Sequence, residues 1–165
     1  KHFTKHFELL SFIKTLLTHY NVKANQVEIE VTESQLLDET LDSHEILTEL
    51  QALGFTLALD DFGTGFSSLR YLLSMPVHKI KIDKSFVDNI PNDTKSIAIV
   101  KTLIVLAHAL GKKVIAEGVE TAEQLQFLIQ EHCDEIQGYY FSKPLSLVEI
   151  QPMLSHRWDL IKDSK

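Results

Sequence analysis

Cysteine is nearly absent from this 165-residue chain: Cys133 stands alone, which excludes an intramolecular disulfide framework and points to a reducing compartment. Arginine is scarce as well, with only Arg70 and Arg157, and the formal net charge is −7. Both features argue against nonspecific binding of a nucleic-acid polymer. Long apolar runs are lacking. The most apolar stretch, Ile97 to Leu110, carries Lys101 and His108 and stops at Gly111, too short to span a bilayer, and no signal peptide is evident. The eight histidines are scattered without an HxH or HExxH pair, which speaks against a histidine-built metal site.

What the chain does contain is an ordinary globular composition, 44% hydrophobic and 24% charged, enough for one domain with a proper core. No low-complexity tract or linker interrupts it. Phe3 to Tyr20 carries Phe7, Leu10, Phe12, Ile13, Leu16 and Leu17 at helical spacing. Val27–Val31 (VEIEV) alternates with the period of a strand. A helix is expected from about Ser43 to Gly54, with Asp42 and Glu45 as a capping box. A short strand over Phe55–Leu59, a helix over Ser67–Leu73 and a strand over Val77–Ile82 follow. Asp93 or Thr94 opens a long helix to Gly111, and Lys113–Ala116 is a buried strand. Thr121 and Gln124 cap a helix to about Glu131, Ile136–Tyr140 reads as a last strand, and Ser146 opens a C-terminal helix.

Strand and helix alternate five times at a spacing that implies a parallel sheet with right-handed crossovers. Two architectures fit: an open doubly wound sheet, or a (β/α)8 barrel lacking its first part, since a full barrel takes roughly 250 residues.

In either architecture, function collects at the carboxyl ends of the strands. Those positions hold Glu30 and Glu33, then Asp60 and Asp61, Lys81 and Asp83, Glu117 and Glu120, and Gln137. Each has a structural explanation by itself. Asp60-Asp61 suits a solvated turn before glycines, Glu117 and Glu120 suit a helix N-terminus, and Lys81 suits an ion pair. Jointly they are hard to explain as solvated turns. Carboxylates without Cys or His point to Mg²⁺ or Mn²⁺, and two such ions would clamp the attacking and leaving oxygens of a phosphodiester. The adjacent aspartates are explained if the strand ends at Asp60 and Gly63 and Gly65 turn the chain so that both reach one site. A Mg²⁺ barrel enzyme using lysine to abstract a proton beside a carboxylate also fits the spacing alone. Glu28 and Lys79 lie one step deeper on the same faces and are expected to form a structural ion pair.

Five motifs in order, EVTES, LALDDFGTGFSSLRYL, KIKIDKSFV, VIAEGVET and QGYYFSKPL, resemble the EAL-domain family of bacterial cyclic-di-GMP phosphodiesterases. The resemblance implies a modified (β/α)8 barrel that hydrolyses cyclic di-GMP to linear pGpG with Mg²⁺ or Mn²⁺, two ions in the complete domain. Carried over by motif, Glu30, Asp60 and Asp61 resemble metal ligands, and Lys81 a residue beside the nucleophilic water. Glu117 resembles the general base, with Glu120 and Asp83 supporting the site and Gln137 polarising the water shell. Glu33 resembles the glutamate that holds the glycine loop containing Gly63, Thr64 and Gly65. Family members tend to dimerise through that loop region, and Phe66 stands where Tyr is frequent.

The Glu-Ala-Leu motif that names the family is absent from the chain, as is the asparagine ligand of a following strand. The expectation is therefore that residues 1–165 are the C-terminal part of a single EAL domain whose first strands are absent. An incomplete barrel of about five strands would expose strand edges and favour self-association across the opening. It would bind metal weakly and be incomplete for catalysis. A non-catalytic module that binds cyclic di-GMP or another protein stands as the alternative. The expected setting is the bacterial cytoplasm, free or as the cytoplasmic domain of a larger or membrane-anchored protein.

Overall fold

The computed structural model describes residues 2–32, 41–63 and 69–155. Five strands form one sheet: β1 (Glu28–Thr32), β2 (Thr56–Phe62), β3 (Lys79–Ile82), β4 (Lys113–Ala116) and β5 (Glu135–Ile136). All neighbouring pairs are parallel and the order is β1-β2-β3-β4-β5. A doubly wound sheet reverses its strand order at a switch point. No reversal occurs here, so the order is that of consecutive barrel strands.

The described helices are α1 (His2–Tyr20), α2 (Leu41–Ala52), α3 (Leu69–Ser74), α4 (Lys84–Val87), α5 (Thr94–Ala109), α6 (Ala122–Gln130) and α7 (Leu147–Ile150). Short 3-10 turns cover Ala24–Gln26 and Gln151–Ser155. None of the described helices is long and apolar enough to cross a membrane.

Burial explains the layering. Leu57, Ala58 and Leu59 of β2 are all buried, as are Ile80, Lys81 and Ile82 of β3 and Val114, Ile115 and Ala116 of β4. Successive residues point to opposite faces of a strand, so both faces of these strands are covered. α5 turns Ser96, Val100, Ile104 and Ala107 inward at helical spacing. Truncating a side chain such as Ile104 to Ala would cost about 2–5 kcal/mol. The Asp93 side chain starts this helix by accepting from the Ser96 amide at 2.7 Å and from its hydroxyl at 2.8 Å.

Several boundaries differ from the sequence expectation. α2 is already helical at Leu41, so Asp42 lies inside it and not at its cap. β3 begins at Lys79, two residues after Val77. β5 is only Glu135–Ile136, because the backbone beyond it leaves the sheet to bond Val119. α4, directly after β3, was not anticipated.

Candidate functional site

The strand faces build two stacked layers of charge. At the lower level Lys79 Nζ lies 2.7 Å from Glu28 Oε2 and 2.6 Å from Glu135 Oε2. The expected Glu28–Lys79 pair is therefore present, and Glu135 joins it. Two residues further along β1 and β3, the period of one strand face, stand Glu30 and Lys81. Lys81 Nζ lies 2.7 Å from Glu30 Oε2, 3.1 Å from Asp60 Oδ1 and 2.6 Å from Glu117 Oε1. Four strand ends thus deliver their charged groups to one point, and the Lys81 side chain is only 3% exposed there.

The electrostatics follow from that crowding. Burial alone would pull the Lys81 ammonium down. The hydrogen bonds to Glu117, Glu30 and Asp60 outweigh it and hold the group above the ordinary lysine value. Burial pushes the Glu117 carboxyl up against the opposing pull of Lys81, with Asp60 and Glu30 adding to the rise. Burial also raises Asp61, helped by the negative charges of Asp60 and Asp83 and opposed by Lys81.

Asp61 reaches this field by a different device from the one expected. β2 does not end at Asp60 but continues to Phe62. Its ladder with β3 pairs Leu59 with Ile80 and then Phe62 with Ile82, three steps along β2 against two along β3. One extra residue is therefore inserted, and Asp61 sits there at φ 55°. Aspartate tolerates that left-handed conformation better than most residues. A bulge inside the strand, and not only the glycine turn after it, breaks the alternation at Asp60-Asp61. Gly63 follows β2 with φ 98°. Glu33, Thr64 and Gly65 lie outside the described residues.

Three expected residues stand apart from the Lys81 cluster. The Asp83 side chain caps α4 by accepting from the Ser85 amide at 3.0 Å. Glu120 pairs with Lys84 Nζ at 2.8 Å, and Lys84 also holds Asp88 at 2.6 Å. Gln137 is exposed just beyond β5, and its amide donates to the Ala116 carbonyl at 2.9 Å.

Two connecting residues were missed by sequence reasoning. Gln124 is buried, accepts from the Glu120 amide at 2.8 Å and the Thr121 amide at 3.0 Å, and donates to the Val87 carbonyl at 3.2 Å. Its capping-box position was legible, but its grip on α4 has no local signal. Asp134 accepts from His108 Nε2 at 2.7 Å and from the Val114 amide at 2.9 Å, joining α5 to the start of β4.

The oxygen-only donors Glu30, Asp60 and Asp61 have the chemistry of a hard divalent cation site. Among the described residues, however, no three acidic, histidine or cysteine side chains are spaced to hold an ion by themselves. The carboxylates of Glu30, Asp60 and Glu117 are arranged around the lysine. The donor set fits such an ion in kind and is partial in number.

Known proteins resemble this chain in sequence and fold. The EAL domain model matches residues 3–144. The cyclic di-GMP phosphodiesterase NbdA of Pseudomonas aeruginosa is 40% identical over 152 residues, covering 92% of this chain and 19% of NbdA. The PaMucR phosphodiesterase in its c-di-GMP complex superposes with a TM-score of 0.82 at 34% identity, over 86% of this chain and 57% of that one. Klebsiella pneumoniae BlrP1, in a manganese/cy-diGMP complex, gives a TM-score of 0.76 at 34% identity, over 82% of this chain and 34% of its own. The chain therefore spans about a fifth of NbdA and little over half of the PaMucR chain.

Proposed function

The chain belongs to the EAL domain family, and on that premise we propose that its domain hydrolyses cyclic di-GMP to linear pGpG with divalent cations. The observation that carries the reading is the buried contact of 2.6 Å between Lys81 and Glu117, beside Glu30 and Asp60 at adjoining strand ends. The names of NbdA and PaMucR and the manganese complex of BlrP1 support it.

Glu30, Asp60 and Asp61 would hold the cation, which when bound neutralises charge on the phosphoryl oxygens and supplies the positive charge that a chain of net −7 lacks. Glu117 accepts the proton of the attacking water on its carboxylate, a role favoured by the burial that makes it more basic than an ordinary glutamate. Lys81 fixes the orientation of that carboxylate and donates toward the water. The new P–O bond forms as the bond to the 3′ oxygen breaks, that oxygen takes up a proton from solvent water to become the 3′ hydroxyl, and the 5′ phosphate of pGpG remains. Gln137 orders water at the mouth of the site, while Asp83 and Glu120 act at one remove, through the cap of α4 and through Lys84.

Five sequential strands, and coverage of 57% of the PaMucR chain, support reading residues 1–165 as the C-terminal part of one EAL domain. Its remaining strands would bring the missing ligands. Association into a homodimer, through the glycine-loop region or across the open sheet, belongs to the same reading.

A second reading has an observation in its favour. With no three-carboxylate cluster for an ion among the described residues, the chain would bind cyclic di-GMP without cleaving it. Incubating cyclic di-GMP with the protein and Mn²⁺ or Mg²⁺, then separating the nucleotides by chromatography, decides between them. Appearance of pGpG that stops on chelation supports hydrolysis, and bound but intact cyclic di-GMP supports the binding module.

A further inference from the structure

The Lys81 ammonium has three N–H donors, and three carboxylates meet it, at 2.7 Å from Glu30, 3.1 Å from Asp60 and 2.6 Å from Glu117. Those acids come from β1, from β2 and from the end of β4, so none of them is placed by its neighbour in sequence. Parallel strands that carry acids at the same level bring like charges together, here with the Asp60 and Glu117 side chains mostly shielded from water and Glu30 at the open side. Such a gathering is strongly unfavourable without a cation among them.

We infer that Lys81 is that cation in the metal-free chain: its tethered ammonium gathers Glu30, Asp60 and Glu117 and stands in for a divalent ion. An incoming ion would then take over Glu30 and Asp60 and leave Lys81 on Glu117. The second half of this inference rests on the metal-dependent reading above; the first half concerns the protein without metal.

Three observations carry it. The carboxylates of Glu30, Asp60 and Glu117 surround Nζ at ion-pair distance, and among the described residues no three acids are spaced to chelate an ion. One ammonium among three carboxylates leaves the cluster net negative, so it still attracts a divalent cation. The exchange also needs no backbone movement. Lys81 is fixed in the sheet opposite Ile115, and its flexible four-carbon stem allows the charge to swing alone. A lysine suits this better than an arginine, whose planar fork is directional.

The test is thermal unfolding of the protein in chelator and again with Mn²⁺, for wild type, Lys81→Met, Glu117→Gln and the double variant. In chelator, Lys81→Met is expected to lower Tm by on the order of 10 °C. Glu117→Gln is expected to lower Tm in the wild-type background but raise it in the Lys81→Met background, where it removes a charge left without a partner. A purely packing role for the lysine stem gives no such reversal of sign. Mn²⁺ is expected to raise the Tm of Lys81→Met more than that of wild type. An unchanged Tm in Lys81→Met, or a Glu117→Gln effect of the same sign in both backgrounds, overturns the inference. If Lys81→Met does not fold in chelator, the double variant must, and failure of both overturns it too. Sign reversal without any effect of Mn²⁺ upholds the stand-in role and removes the exchange, along with the metal site on which the proposed function depends.

Discussion

Val119 and Gln137 are joined backbone to backbone: the Val119 amide donates to the Gln137 carbonyl at 3.1 Å, and the Val119 carbonyl accepts from the Tyr140 amide at 2.9 Å. The end of β5 is thereby tied to the loop that carries Glu117. Gly138 lies between these bonds, and a Cβ there would overlap the nitrogen, carbon and oxygen of Val119 itself. Backbone cannot swing aside as a side chain does.

Gly138→Ala is accordingly expected to destabilise the protein by more than about 3 kcal/mol in urea titration. Gly111 is the control. It has φ 68° and nothing within 4 Å of a built Cβ, so Gly111→Ala should cost only about 1 kcal/mol, the strain of a left-handed alanine. Equal losses at the two positions would contradict the close approach of Gly138 to Val119.

The Gln124 carboxamide makes a comparable tie through a side chain, between the Glu120 and Thr121 amides on one side and the Val87 carbonyl on the other. Gln124→Leu keeps much of the volume but strips those partners. A loss of about 2–3 kcal/mol is expected, with faster hydrogen exchange at the Glu120 and Thr121 amides. Unchanged exchange at both would show that the carboxamide does not hold this loop.

Such ties mark the limit of what was legible in the sequence. The sequence predicts β4 at Lys113–Ala116, where it is found, because a short buried run between Gly111 and an acidic loop is a local signal. The capping box of Thr121 and Gln124 is local too, and it is present. The sequence predicts β5 over Ile136–Tyr140, since nothing local says that the Gln137 carbonyl and the Tyr140 amide will bond Val119 instead of continuing the ladder. The meeting of Glu30, Asp60, Lys81 and Glu117 was legible from strand-end position, though that signal does not separate them from Asp83 and Gln137, which stand apart. The pairing of Glu120 with Lys84 was not, because it depends on α4, whose single turn has no periodicity to read. The bulge at Asp61 was hidden for a similar reason: an extra residue in a ladder shows only against its partner strand.

Lys79 gives a pH dependence. Burial pulls its ammonium down, but hydrogen bonds to Glu135 and Glu28 outweigh this and leave it above the ordinary value of 10.5. A raised lysine stabilises the fold fully below its unfolded value and loses that contribution as pH rises through the folded one. The stability gap between wild type and Lys79→Met should be about 1–2 kcal/mol near neutral pH, since the three groups are only partly buried. It should close as pH climbs past 10.5. Urea titrations across that range check it, and a gap that widens with pH would refute the assignment.

The proposed function rests on Glu117, held by Lys81, as the base of a phosphodiesterase. It is tested most directly by cyclic di-GMP turnover with Mn²⁺, wild type against Glu117→Gln, in this chain and in the chain completed with the remaining barrel strands. Formation of pGpG is expected to fall about 10²- to 10⁴-fold in the variant, while cyclic di-GMP still binds. Turnover by Glu117→Gln at the wild-type rate, or no pGpG from either wild-type form, would contradict it.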